Sequence, residues 1–127
     1  MALIIIDTLM PITVTCKVTP QSQKYANGLE RVELYVDRAF TAQLPDKPRP
    51  RLRVNVIVRT KAGTYHGGLR THEKSDKVYL CPDLVSESDS QYISLAKVLK
   101  NVHFGPGDKV EVEVEEGKWT ILRSMGV

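Results

Sequence analysis

Apolar and polar residues alternate with a period of two through much of this chain, and this pattern constrains the fold more than any other feature. In residues 12–19 every second side chain is apolar, and those between are threonine or lysine. The same alternation occurs in residues 31–36, 51–59 and 110–115. Successive side chains of a strand point to opposite faces, so each segment predicts a strand with one buried and one solvated face.

Turns and two short helices complete the predicted plan. Glu116-Gly117 is a two-residue hairpin loop leading into a last strand, KWTILR. The stretch 37–44 predicts a helix that ends before Pro45, and 94–101 predicts a second helix with Ser94 as its N-cap. About seven strands and two short helices in 127 residues predict a mainly β fold, a small seven-stranded open barrel forming a single domain over residues 1–127.

Composition excludes several classes of protein. No apolar run approaches the roughly 20 residues that span a bilayer, and the opening MALIIIDTLMP lacks the basic start of a signal peptide. Two cysteines, Cys16 and Cys81, form no disulfide framework. We therefore expect a cytoplasmic protein with no membrane partner.

Charge is unevenly distributed along the chain. Residues 17–80 hold 13 Lys and Arg against 6 Asp and Glu, whereas residues 81–127 hold 5 against 8. A basic middle segment makes a polyanionic partner worth testing.

Two long polar loops interrupt the predicted strands within this basic segment. They are PQSQKYANG (Pro20 to Gly28) and THEKSDK (Thr71 to Lys77). Both carry side chains of the types that contact DNA: Lys24, Lys74 and Lys77 for phosphates, Gln21, Gln23 and Asn27 for adenine edges, Arg70 and His72 for guanine, and Tyr25 for stacking or packing on a sugar. A solvated loop is the competing interpretation of either segment alone.

Catalytic motifs find little support. A restriction-type nuclease needs a Pro-Asp pair followed by an acidic residue, any residue and Lys. Pro82-Asp83 and Glu116-Gly117-Lys118 match this motif. However, Gly117 lies in the predicted hairpin loop, whereas catalytic carboxylates belong on a rigid strand. The histidines and cysteines show no metal-ligand spacing, and FGPGD lacks the Lys and Ser/Thr of a phosphate-cradling loop. We therefore expect no catalytic residue, no metal, no cofactor and no small-molecule substrate.

Three phrases of the sequence resemble the DNA-binding pseudobarrel family, which includes the plant B-three domains of auxin response factors and the recognition or effector domains of some bacterial type II restriction endonucleases. They are LYVDRAFTAQLP (Leu34 to Pro45), KAGTYHGGLR (Lys61 to Arg70) and LAKVLKNVHFGPGDKVEVEVEEGKWTIL (Leu95 to Leu122). The resemblance covers roughly residues 12–123. The plant Gly-Trp after the second loop is replaced by VYLCPDL, and SESDSQY is inserted before the last helix, which leaves the bacterial branch as the nearer relative.

The resemblance implies an open pseudobarrel whose two arms grip the major groove of double-stranded DNA. The first arm corresponds to Gln21 to Gly28, including Gln21, Gln23, Lys24, Tyr25 and Asn27. The second corresponds to Arg70 to Lys77, including Arg70, Thr71, His72, Lys74, Ser75 and Lys77. For a chain that is part of a longer protein, the implied parent is a restriction endonuclease whose catalytic domain lies elsewhere.

Two alternatives stay open at this point. GPGDKVEVEV also resembles the swapped-hairpin, AbrB-like regulators, which read DNA as dimers. The acidic row Glu111, Glu113, Glu115 and Glu116 is compatible with a protein-interaction or inhibitor module facing a basic partner.

Overall fold

A closed ring of seven strands forms the body of the protein. The computed structural model describes residues 11–19, 23–24, 30–45, 48–49 and 52–124, which form eleven strands. They are β1 (Ile12–Val18), β2 (Gln23–Lys24), β3 (Glu30–Arg31), β4 (Leu34–Val36), β5 (Val54–Thr60), β6 (Gly63–Thr71), β7 (Val78–Leu80), β8 (Asp83–Ser86), β9 (Tyr92–Ser94), β10 (Lys109–Glu115) and β11 (Lys118–Ser124). Seven of them follow the order β5-β11-β10-β1-β4-β7-β6, and β6 pairs back onto β5. The predicted mainly β, seven-stranded barrel is confirmed, and the β5–β6 pairing closes the ring that the sequence interpretation left open.

The barrel interior is filled by the apolar positions of the alternating segments. Val14 and Cys16 of β1 lie opposite Val112 and Val110 of β10, and all four side chains are at most 1% exposed. Trp119 of β11 is fully buried among them. Each buried aliphatic side chain contributes about 1.5–3 kcal/mol relative to an exposed one, so the alternation predicted both the strands and the face that stabilises them.

Two adjacent glycines in β6, Gly67 and Gly68, allow other side chains to pack closely against both faces of the barrel wall. A Cβ at Gly67 would lie 2.5 Å from Cδ2 of Leu84 in the interior. A Cβ at Gly68 would overlap the side chain of Arg53, whose Cζ would be 2.7 Å away, on the outer face. The strand is therefore closely covered from within by a leucine and from outside by an arginine.

The first predicted helix is a short 3-10 helix, Arg38–Gln43, between β4 and β5. Asp37 caps it, because its Oδ1 accepts a hydrogen bond from the Ala39 N–H at 3.0 Å. A single buried side chain, Thr41, faces the interior from this helix. The tighter helix type agrees with a segment of only six residues.

The second predicted helix, α1 (Leu95–Asn101), agrees with the sequence interpretation. Oγ of Ser94 accepts from the Lys97 N–H at 3.2 Å, as expected for an N-cap. Its buried side chains are Leu95, Val98 and Leu99. Neither helix of the described residues is long and apolar enough to cross a membrane.

Two segments differ from the predicted strands. The predicted strand over 31–36 is divided into β3 and β4 by residues 32–33, and β3 pairs with β2 in a separate two-stranded ladder. The segment 83–94, which includes the inserted SESDSQY, forms the β8–β9 hairpin, which pairs with β6 outside the ring. No alternation marked either strand of this hairpin, because both are short and Leu84 is their one buried residue.

Candidate nucleic-acid interface

The two predicted arms leave opposite ends of a strip of four neighbouring strands, β1, β4, β7 and β6. The first arm connects β1 to β4 and begins where Val18 pairs with Leu34. The second connects β6 to β7 and begins where Thr71 pairs with Val78. Because Leu34 pairs with Leu80, the first arm lies at the Leu80 end of β7 and the second at the Val78 end. The outer face of the strip therefore lies between the arms.

A row of cationic and aromatic side chains crosses this outer face. Directly opposed residues on five consecutive strands form the row, which we call the outer row: Lys109 of β10, Lys17 of β1, Tyr35 of β4, Tyr79 of β7 and Arg70 of β6. The lysines and the arginine are exposed, and the tyrosines are half-buried. Neighbouring strands lie about 4.8 Å apart, so the row extends roughly 19 Å along the barrel wall.

The two tyrosines of the outer row form an aromatic pair. The ring centroids of Tyr35 and Tyr79 are 5.1 Å apart, and the planes are tilted by 34°. Burial, followed by the nearby carboxylate of Glu33, raises the pKa of Tyr35 to about 12, and burial also raises the pKa of Tyr79. The Tyr35 hydroxyl donates to Oε1 of Glu33 at 3.4 Å. Both hydroxyls therefore keep their protons at neutral pH, and the Tyr35 proton is already donated to Glu33.

An open cleft of about 630 Å³ lies along the same face, beside the second arm. Four cationic side chains line it: Lys17, Arg38, Lys77 and Lys109. Asp37 is the one carboxylate in this lining, and it already caps the 3-10 helix. An anion in the cleft would meet a surplus of positive charge.

The second arm is a compact turn held by its own backbone. The His72 N–H donates to the Lys77 carbonyl at 2.8 Å, and the Asp76 N–H donates to the His72 carbonyl at 2.9 Å. Asp76 has a φ of 56°, in the left-handed region that Asp tolerates better than most residues. Lys74 and Lys77 are exposed at the surface of this turn, and Ser75 is half-buried. Both lysines are therefore accessible to a ligand, as a role in phosphate contact requires.

His72 contributes to the turn through its ring. Nδ1 accepts hydrogen bonds from the N–H groups of Lys74 and Ser75, both at 3.3 Å. A nitrogen that accepts carries no proton, so the neutral ring presents its proton on Nε2. The predicted guanine contact of His72 would therefore be made through Nε2.

Thr71 was predicted as a DNA-contacting residue, and its position requires a correction. Its side chain is 4% exposed, and Oγ1 donates to the carbonyl of Pro48 at 2.6 Å. The hydroxyl is thus buried and already hydrogen-bonded, because Pro48, which precedes β5 in the chain, lies against the base of the arm. Thr71 anchors the arm and offers no side-chain contact to a ligand.

Arg70 lies on the strand wall rather than on the arm itself. It is exposed, lies opposite Tyr79, and its positive charge acts against the rise in the pKa of the Cys81 thiol that burial causes. It therefore belongs to the floor between the arms.

Most of the first arm lies outside the described residues. This applies to Gln21, Tyr25 and Asn27. Gln23 and Lys24 form β2, in which they pair with Arg31 and Glu30 of β3. The base-reading roles predicted for this arm remain predictions.

Sequence reasoning missed four members of this face: Lys17, Tyr35, Tyr79 and Lys109. Their outward direction could be read from the alternation, because each flanks buried residues on its own strand. Their alignment across five strands depends on the register, which a single sequence does not reveal. The outer row is therefore a finding of the structure.

Two of the residues considered above as candidates for catalysis or metal binding, Cys16 and Gly117, occupy structural positions. Cys16 is fully buried in the core, and burial raises the pKa of its thiol far above its ordinary value. Gly117 has a φ of 76° in the β10–β11 turn, as the hairpin prediction required. Within the part of the chain that the structure describes, no three His, Cys, Asp or Glu side chains are grouped so that they could hold a metal ion.

Comparison with known proteins gives no match to a family model, to a curated protein or to a solved structure. What the outer row and the arms can bind is therefore inferred from their own geometry and charge.

Proposed function

We propose that this protein binds double-stranded DNA, with the outer row as the floor of the interface and the two arms at its edges. The outer row is the observation that carries the proposal. It aligns three cations and two aromatic side chains on five strands, between two polar loops. Phosphate contacts dominate the affinity of proteins for DNA, and loops that enter the groove supply specificity.

The charges of the outer row favour a polyanion. None of the ion pairs among the described residues involves Lys17, Lys109 or Arg70. Lys17 and Lys109 are directly opposed on neighbouring strands, an arrangement that is unfavourable without a counter-charge. A phosphate bound between them would turn this repulsion into two attractions.

Lys17 and Arg70 are three strands apart, which is roughly 14 Å along the curved wall of the ring. Tyr35 and Tyr79 lie between them as an aromatic pair, and the Tyr35 hydroxyl is already bound to Glu33.

We assign the contacts by position. Five lysines contact phosphates: Lys17 and Lys109 on the floor, Lys74 and Lys77 on the second arm, and Lys24 on the first arm. Four side chains contact base edges: Gln21, Gln23 and Asn27 on the first arm, and His72 on the second arm. The protein itself performs no chemistry in this proposal. A catalytic domain or partner, as in restriction endonucleases, acts on the bound DNA.

The structure gives less support to the two alternatives. The seven strands of the ring all come from one chain, so closing the barrel needs no hairpin from a second copy, unlike a swapped-hairpin dimer. The acidic row of β10 is partly neutralised, because Glu115 pairs with Lys118 at 3.0 Å. Glu111 and Glu113 are half-buried rather than freely projecting.

Fluorescence anisotropy with a labelled duplex, repeated across salt, tests the proposal. The double variant Lys17→Gln/Lys109→Gln removes two phosphate contacts and should reduce the slope of log K against log salt by about 2. The matched control, Lys97→Gln/Lys100→Gln, removes the same charge from α1 and should leave that slope near the wild-type value. Equal effects of the two variants would mean that the outer row is not the interface.

A further inference from the structure

We propose that Arg53 and Arg70 together form a phosphate-binding site on the outer wall of the barrel, at the end of the outer row. The ligand chemistry is a phosphate group. It comes either from the backbone of DNA, in which case the inference rests on the proposed function, or from a free phosphate. For Arg70, this role replaces the guanine contact predicted from the sequence.

Register brings the two arginines to the same level of the wall. Val54, the first residue of β5, lies opposite Leu69 of β6, so the residue just before β5 and the residue after Leu69 on β6 are neighbours. These are Arg53 and Arg70, and both are exposed on the outside. The outer row thus continues by one further cation beyond β6.

Gly68 positions the side chain of Arg53. A Cβ at Gly68 would overlap Nε of Arg53 and lie 2.7 Å from Cζ and 2.8 Å from Cδ. Although Gly68 is on the outer face, it is buried, since the arginine covers it. The absence of a side chain at this position therefore allows Arg53 to lie flat against β6.

Cys81 lies beside the same part of the wall, because its N–H donates to the Gly68 carbonyl at 2.8 Å and Arg53 covers Gly68. Burial raises the pKa of the Cys81 thiol, the positive charges of Arg53 and Arg70 act against that shift, and the carboxylate of Glu33 adds to it. Both guanidinium charges therefore act on one thiol.

No described carboxylate forms an ion pair with either arginine, although the charge of Glu33 also acts on Cys81. Neither Arg53 nor Arg70 takes part in an ion pair among the described residues. Two neighbouring guanidinium groups repel each other, and an oxyanion between them removes the repulsion. The planar fork of donors on each arginine matches a phosphate better than a lysine does.

Gly68→Ala is the most informative variant, because it displaces Arg53 without changing any charge. The added methyl group meets only the flexible end of a side chain, so the barrel itself is preserved. Arg53→Ala removes the charge outright. Arg59→Ala is the matched control, since Arg59 is an exposed residue on the outer face of the same strand, at its other end.

Two measurements distinguish the sources of the phosphate. In duplex anisotropy across salt, Arg53→Ala and Gly68→Ala should each lower the salt slope by about 1, equally for all DNA sequences, while Arg59→Ala leaves it unchanged. In thermal unfolding, inorganic phosphate at constant ionic strength should raise the Tm of the wild type and of Arg59→Ala, and should not raise that of the other two variants.

The possible results separate the inference from the proposed function. A phosphate-dependent rise in Tm that needs Arg53 supports the site even when the wild type binds no duplex, and then free phosphate is the ligand and the DNA proposal fails. A lower salt slope in both site variants supports a backbone phosphate as the ligand. Wild-type behaviour of Arg53→Ala and Gly68→Ala in both measurements would overturn the inference.

Discussion

Lys17 and Lys109 face each other directly across the antiparallel β1–β10 ladder, on the outside of the barrel. The adjacent outward pairs of the same ladder combine Thr15 with Glu111 and Thr13 with Glu113, so neither opposes like charges. Like charges directly opposite each other destabilise a sheet by about 0.2–1 kcal/mol. The lysine pair is therefore a local cost in stability, which a bound polyanion would offset.

Lys109→Glu should stabilise the protein and weaken DNA binding at the same time. The change converts a repulsive cross-strand pair into an attractive one, a gain of about 0.5–1 kcal/mol and a Tm higher by a few degrees. Thermal unfolding and duplex anisotropy measure the two effects. Lys109→Gln should lie between the wild type and the Glu variant in both, and a lower Tm for Lys109→Glu would contradict the prediction.

Thr71→Val should destabilise the protein by about 1–3 kcal/mol, because it leaves the Pro48 carbonyl without its buried donor. Thr71→Ser keeps the hydroxyl and serves as the control. Denaturant unfolding measures the difference. If Thr71→Val were as stable as Thr71→Ser while DNA specificity changed, Thr71 would be a base-reading residue as the sequence predicted, and not an anchor.

Gly67→Ala should destabilise the protein by about 1–3 kcal/mol, because its Cβ would lie 2.5 Å from Leu84 in a packed interior. Gly68→Ala, one residue away on the opposite face, should cost much less, since the arginine above it can move. Urea unfolding of the two variants makes the comparison. Equal losses would mean that Gly68 is as tightly enclosed as Gly67.

Tyr35 should titrate as the highest step of the native tyrosine spectrum, with a pKa of about 12. Because the folded state holds the proton more tightly than the unfolded state, this contribution to stability is complete below pH 10 and is lost as the pH rises from 10 to 12. Absorbance at 295 nm follows the tyrosinate. Tyr35→Phe should remove the highest step and Tyr92→Phe should retain it, whereas its persistence in Tyr35→Phe would assign it to another residue.

Both cysteines should resist thiol reagents in the native protein, because Cys16 and Cys81 are buried and burial raises the pKa of each thiol. Reaction with a disulfide reagent at pH 8 measures this. The native protein should release almost no chromophore over a period in which the unfolded chain releases two equivalents, one for each cysteine. Rapid native reaction would show that one of the sites opens.

The strands were predictable where one face is buried. The alternation around Val14 and Cys16 predicted β1 to within one residue at its end, and Ser94 predicted the start of α1, because both signals act within a few residues. Register is not local. Nothing in the sequence near Tyr35 indicates that Tyr79 is its neighbour, 44 positions further along the chain.

The residues of the candidate site were likewise predictable only where the signal is local in the sequence. The exposed lysines of the second arm could be identified from a polar loop between two strands, and Lys74 and Lys77 are indeed exposed. Thr71 could not be separated from them, since its burial depends on Pro48, a residue distant in sequence. The position of the Arg53 side chain likewise depends on Gly68, a residue of the neighbouring strand that lies beneath it in the folded barrel.

Recognition of duplex DNA between the two arms can be tested by anisotropy with a randomised duplex library, followed by sequencing of the bound fraction at several salt concentrations. We expect one short enriched motif in the wild type, with affinity that falls steeply as salt rises and less steeply in Lys17→Gln/Lys109→Gln. Absence of binding at low salt, or binding without an enriched motif, would mean that this barrel does not read duplex DNA between its arms.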